Sequence, residues 1–287
     1  MKKLALLLAA LGVVSAAAYA APELTVTHVG QEIEIENVAN GNDLNDVWLF
    51  NNVGLAYGDW TFGLQAGKMW TANYDHEEDI HSANHRLQFD IWNKVSDDLK
   101  LGFRYRGQKN YDRYYARYDF NHGMFYSTGD VWYEATNENG TNGVTDWVKA
   151  EIFPVGVKFG PVKVAYFVNY EKAVGSLEDG EQEDYFEHQI RAYATLYKGE
   201  RLTLTTEGRF TIAADKGYEG KEPGYRHYDD FGRNRLYLGA DYKVSDNLNV
   251  YGKFGYEMRE WKLENGYKDD HTEKYYQDFV VGWKYTF

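Results

Sequence analysis

Phe279-Val280-Val281-Gly282-Trp283-Lys284-Tyr285-Thr286-Phe287 ends the chain, and the fold is decided there. Counting back in twos from Phe287 gives Tyr285, Trp283, Val281 and Phe279, all large and apolar. The positions between them are Thr286, Lys284, Gly282, Val280 and Asp278, small or polar apart from one valine. Successive side chains of an extended strand point to opposite faces, so this alternation describes a strand with one apolar and one wet face. Similar segments recur from Leu24 onward with no linker or composition shift between them, which predicts a single all-β domain.

The clearest apolar sets are Val47/Leu49/Val53/Leu55/Tyr57, Trp60/Phe62/Leu64, Leu87/Phe89/Ile91 and Leu99/Leu101/Phe103/Tyr105. Later ones include Val162/Val164/Tyr166/Val168, Leu236/Leu238/Ala240/Tyr242 and Leu248/Val250/Phe254/Tyr256. Gly58-Asp59, Ser96-Asp97-Asp98, Gly160-Pro161, Lys198-Gly199-Glu200 and Ser245-Asp246-Asn247 have hairpin-turn chemistry. They alternate with longer polar stretches at 37–46, 71–84, 172–184, 213–232 and 262–273. This pattern predicts an antiparallel up-and-down transmembrane β-barrel, with short turns and both termini in the periplasm and long acidic loops outside. Fourteen strands follow if residues 107–136 form two strands turning at Asn121-His122-Gly123; twelve is the alternative if 107–146 is one loop. Leu24 and Val26 are out of phase with Ile33 and Ile35, which predicts a bulge near Gly30.

At the other end, Met1-Lys2-Lys3 precedes the apolar stretch Leu4 to Val14 and the small-x-small site Ala18-Tyr19-Ala20. This layout predicts a signal peptide over 1–20 and a mature domain over 21–287. No later segment has ~20 consecutive apolar residues, so a helical membrane protein is excluded. Aromatics make up 17% of the chain, 26 of them Tyr, yet mean hydropathy is −0.63. Strands with one lipid face and one water face, ringed by aromatic girdles, combine those properties. With no cysteine, no disulfide framework or thiolate metal site exists. Loss of Lys2 and Lys3 with the signal leaves 29 basic against 44 acidic residues, −15, a balance that speaks against nucleic acid.

Fixing the lipid face fixes the lumen. The reverse phase would put Arg86, Arg104, Arg191 and Arg209 in lipid, at up to about 2–4 kcal/mol each near mid-membrane. The inward set is therefore wet and charged. Its most basic wall is Arg86, Lys100, Arg104, Arg106, Arg113 and Arg117, with Arg191 and Arg209 further round and acids and bases elsewhere nearly balanced. Barrels of about eight strands are filled by side chains and those of roughly sixteen to eighteen leave a channel, so a narrow water-filled pore is expected. A guanidinium ladder offers paired donors to carboxylates and suits anionic solutes; the same arginines could equally pair with lumen carboxylates and fill the barrel.

The terminal Phe279, Val281, Trp283, Tyr285 and Phe287 resemble the C-terminal signal read by the barrel assembly machinery of bacterial outer membranes. The run Leu87-Gln88-Phe89-Asp90-Ile91-Trp92-Asn93-Lys94-Val95-Ser96-Asp97-Asp98-Leu99-Lys100-Leu101-Gly102-Phe103-Arg104-Tyr105-Arg106 resembles the oligogalacturonate-specific small monomeric porins. There a strand, a Ser/Asp turn and a strand ending in Arg-Tyr-Arg recur. The resemblance covers about one hairpin. It implies a monomeric porin in outer-membrane lipid, with Arg104 and Arg106 lining a pore for acidic sugars and other small hydrophilic solutes. The stretch from Met1 through Ala21-Pro22-Glu23-Leu24-Thr25-Val26 resembles small outer-membrane proteins of fusobacteria.

No Gly-x-Ser-x-Gly elbow or His-Glu-x-x-His occurs, so no catalytic residue, cofactor or metal is expected. His76-Glu77-Glu78-Asp79-Ile80-His81 reads as a solvated acidic loop, and His188 beside Glu187 as a lipid-facing strand residue. The competing non-enzymatic reading is a structural or adhesive barrel whose loops contact other cells without conducting.

Overall fold

The structure is a computed structural model that describes residues 22–38, 44–72, 80–137, 145–175, 177, 181–218, 226–227, 231–260, 262–263 and 273–287. The signal peptide, Ala21 and most of the His76–His81 loop lie outside the described residues. The strands are β1 (Thr25–Val38), β2 (Leu44–Tyr57), β3 (Trp60–Ala72), β4 (His81–Lys94), β5 (Leu99–Gln108), β6 (Tyr111–His122), β7 (Phe125–Thr136) and β8 (Asp146–Phe159). They continue as β9 (Val162–Val174), β10 (Gln182–Lys198), β11 (Leu202–Tyr218), β12 (Arg226–His227), β13 (Arg233–Lys243), β14 (Leu248–Glu260), β15 (Lys262–Leu263) and β16 (Glu273–Thr286). Fourteen of them close into one antiparallel barrel in chain order; β12 and β15 form a separate two-stranded ribbon.

The count is therefore fourteen, and the residues that decide it are Lys109-Asn110. They join β5 to β6 with a two-residue connection at the end where the other connections are long. At the opposite end the chain reverses through short turns, where Gly123 and Gly160 take φ of 58° and 59°. A side chain is strained in that left-handed region, and glycine is not. Turn carboxylates add to this end: Asp97 accepts a hydrogen bond from Lys94 Nζ at 2.6 Å, which holds its pKa below the ordinary value. The strands run further than the alternation suggests, so β9 and β10 leave only 175–181 between them.

The terminal strand closes the cylinder. β16 pairs with β14 on one side and β1 on the other, placing Phe279 opposite Ile35 and Val281 opposite Ile33. Trp283 Nε1 donates to Gln31 Oε1 at 3.3 Å, the Phe287 amide donates to the Thr27 carbonyl at 3.2 Å, and the Tyr285 and Phe287 rings meet edge to face. The bulge in β1 falls at Thr27, between Val26 and His28, not near Gly30. The His28 ring lies over Gly54 there, where even a Cβ would come within 2.1 Å of it. Gly30 instead lets β1 approach β16, its Cβ position being 2.5 Å from the Trp283 carbonyl oxygen.

The outer surface is apolar and uncovered: Leu87, Leu236 and Leu238 are 55%, 54% and 53% exposed. Tyr57, Trp60, Phe125, Phe159, Tyr242 and Tyr285 are exposed near the turn end, and Tyr133, Tyr170, Phe186 and Tyr256 toward the loop end. A closed antiparallel sheet satisfies every strand edge, and with an apolar exterior between two aromatic belts it is built to span a bilayer.

Candidate functional site: a charged lumen lining

Inward positions carry aromatic rings that lie against the wall, with guanidinium groups laid over them. Trp48 and Phe50 of β2 stack at 5.2 Å between centroids and are almost fully buried. Gly67 of β3 makes room for Phe50, because a Cβ there would sit 2.5 Å from its ring. Arg86 of β4 covers both, its Cζ 4.5 Å from the Trp48 centroid and 4.8 Å from that of Phe50. Arg104 and Arg106 lie 5.6 and 5.7 Å from Tyr115, which stacks on Trp132. Arg191 lies 3.3 Å above Phe167, and Arg209 4.9 Å from Tyr237. Cation–π contact of this kind is worth about 0.5–2 kcal/mol and fixes the flat face of the guanidinium.

Carboxylates occupy some of these cations. Arg104 Nε is 2.7 Å from Asp90, Arg117 Nη1 2.5 Å from the same Oδ1, and Arg117 Nε 2.8 Å from Asp130. Arg113 pairs with Glu134, which Lys149 also approaches at 3.3 Å. Arg209 pairs with Glu207 at 2.5 Å, and Glu257 gathers Arg233, Arg235 and Arg259. Among the sequence-predicted residues, Arg104, Arg113, Arg117 and Arg209 are thus neutralised locally. Lys100 is exposed near the turn end, where a cavity is lined by Trp92, Lys94 and Asp119.

Arg86, Arg106 and Arg191 differ. Among the described residues no carboxylate lies within ion-pair distance of them; neutral amides hold them instead. Arg106 Nε donates to Gln88 Oε1 at 2.7 Å and Arg191 Nε to Gln189 Oε1 at 2.7 Å. With the Gln108 amide turned to suit its neighbours, its oxygen accepts from Arg86 Nε at 2.7 Å and Nη2 at 3.0 Å. Arg191, Arg209 and Arg235 also stand in register across β10, β11 and β13, forming a row of three guanidinium groups.

Three further features complete the lining. Phe153 follows Lys149 and Glu151 into the lumen, where its ring meets Phe167 at 5.0 Å, and the bulge around Phe153-Pro154 then turns Val155 and Phe159 outward. Pro154 has no N–H to give the ladder, so a bulge is where a strand tolerates it. Arg235 joins the basic row. Acids, moreover, are not evenly spread: Glu32, Glu34 and Glu36 of β1 line one strip beside Asp278 of β16 and Asp46 of β2. His188 is on the outer face as expected, its ring against Phe186 and Tyr166.

A closed barrel with an apolar exterior and this charged interior defines the chain as a transmembrane β-barrel of outer-membrane architecture. No protein-family model matches the sequence, and no curated protein matches it either. Solved outer-membrane barrels match along most of their length. The outer-membrane protein OmpT of Vibrio cholerae has a TM-score of 0.47 at 12% identity, covering 94% of this chain and 100% of that one. An anion-selective porin from Comamonas acidovorans has 0.45 at 10%, covering 92% and 100%. The outer-membrane channel DcaP of Acinetobacter baumannii has 0.44 at 9%, covering 96% and 100%. At these identities the fold rests on the strand pairing itself.

Proposed function

We propose that the protein is an outer-membrane porin, forming a narrow water-filled pore for small hydrophilic solutes that carry negative charge, acidic oligosaccharides among them. The observation that carries this reading is the trio Arg86, Arg106 and Arg191. A guanidinium held by amides and a ring face keeps donor directions open, and two such donors match a carboxylate. Selectivity follows charges that line a constriction rather than net charge, because salt screens fixed charges beyond about 8–10 Å. The acidic balance of the whole chain is therefore compatible with anion passage.

The test is the reversal potential of the refolded full-length barrel in planar bilayers under a salt gradient. Wild type is expected to favour the anion, and Arg86→Gln with Arg106→Gln to reduce that preference. Cation preference in wild type would refute the reading. A second reading, a structural or adhesive barrel, is favoured by the depth of the lining, since Phe50 and Phe167 are each only 1% exposed. Absence of conductance would support it.

A further inference from the structure

The strip on β16, β1 and β2 gathers carboxylates on one arc of the lumen wall. Glu32, Glu34 and Glu36 alternate inward along β1, and Glu36 is in register with Asp278 on one side and Asp46 on the other. None of the five has an ion-pair partner among the described residues. Glu32 accepts a hydrogen bond from Tyr251 Oη at 2.8 Å, and Glu36 one from Tyr276. Asp278 is 9% exposed, and its Oδ1 is buried with no hydrogen-bond donor. It lies within electrostatic reach of Glu34 and Glu36. A buried carboxylate oxygen without a donor is costly, which marks the strip as a place where negative charge is under-compensated.

Arg86 borders this strip. It covers Trp48 and Phe50, which are in register with Glu34 and Glu32, and its charge reaches both Glu34 and Glu36. On its other flank Arg106 faces Gln88, two positions along from Arg86 on β4. One pleat nearer the turn end, a cavity is lined by Gly30, Asn52, Gln65, Gln88, Asp90 and Tyr251. Carboxylates without an ion-pair partner among the described residues and guanidinium groups held by amides thus meet along a short arc of wall.

From this we infer that the corner is a binding site for zwitterionic solutes such as amino acids or short peptides. The ammonium group is taken by Glu34, Glu36 and Asp278, and the carboxylate by Arg86 and Arg106. The inference rests on the pore reading alone and, at this corner, replaces its anionic solutes with dipolar ones. An anion alone would satisfy the guanidinium groups and leave the acidic strip repelling it; a dipolar molecule satisfies both.

Glycylglycine, acetate and ethylammonium are the probes, applied to the refolded full chain. Liposome swelling is expected to show glycylglycine entering roughly fivefold faster or more than either singly charged probe, the ratio that ~1 kcal/mol of selective binding produces. Glu34→Gln with Glu36→Gln should bring the ratio to within about twofold, and Arg86→Gln should do so from the other end of the dipole. Titration calorimetry on the detergent-solubilised barrel reads glycylglycine binding without any need for conduction. Binding without conductance would remove the pore reading and leave the site standing. Conductance with equal entry of all three probes and no binding would overturn the site and leave the pore.

Discussion

Arg117 on β6 reaches past β5 to place its Nη1 2.5 Å from the carboxylate of Asp90 on β4. Asp90 also receives Arg104, and Arg117 continues to Asp130 on β7, so one hydrogen-bonded chain crosses four strands. Asp90→Asn leaves Arg104 and Arg117 with Asp130 as their one nearby carboxylate among the described residues. With these side chains still partly solvated, the expected loss of barrel stability is about 1–3 kcal/mol. Anion preference should rise at the same time. Urea unfolding of the refolded protein and reversal potentials test the two effects separately; a cation shift would contradict the assigned pairing.

Assembly should depend on the closing seam. Phe287 and Tyr285 form the last aromatic contact of the strand that pairs with both β14 and β1. Removing Phe287 is expected to lower the folded fraction in outer membranes more than removing one residue from 219–225. The folded fraction is read on gels as the heat-modifiable band, and equal losses would count against a special role for the terminus. N-terminal sequencing of the same material should begin at Ala21, with retention of Lys2 as the contrary outcome.

Because the chain has no cysteine, single cysteines report topology cleanly. A cysteine at Pro161, in a two-residue turn, should be protected in intact cells. One placed within 219–225 should react with a membrane-impermeant maleimide. The reverse pattern would invert the orientation.

Gly102 tests the lining. A Cβ there would meet the Trp92 ring at 2.6 Å, and Trp92 supports Arg117 at 4.6 Å. Gly102→Val is expected to cost roughly 1–3 kcal/mol by overpacking. It should also disturb the Asp90 network, seen as a conductance change that Gly102→Ala reproduces only in part.

Much of this architecture could be read along the chain, because alternation is local. Phe103 and Tyr105 announce their face, and Arg104 between them is forced to the other. What joins strands sideways is not local. Arg117 and Asp90 are 27 residues apart, and only the registers of β4, β5 and β6 bring them together. The three free arginines were therefore indistinguishable from the paired ones in sequence. The acidic strip stayed hidden for a related reason: Ile33 and Ile35 set the phase of Glu32, Glu34 and Glu36, but only the registers of β16, β1 and β2 bring Asp278 and Asp46 beside them. The choice of fourteen over twelve turned on Lys109-Asn110, which carries no glycine or proline to announce a reversal.

The rings beneath the arginines have a kinetic consequence. A free arginine side chain loses about 2 kcal/mol of rotamer entropy when it settles on a ligand. Arg191, pressed 3.3 Å above Phe167, has already lost much of that freedom when the barrel folds. A passing solute then finds a stationary target and need not immobilise it, so contact can form and dissolve quickly. Such a lining behaves less like a set of grasping arms than like a printed circuit, with charges fixed in place while the traffic moves.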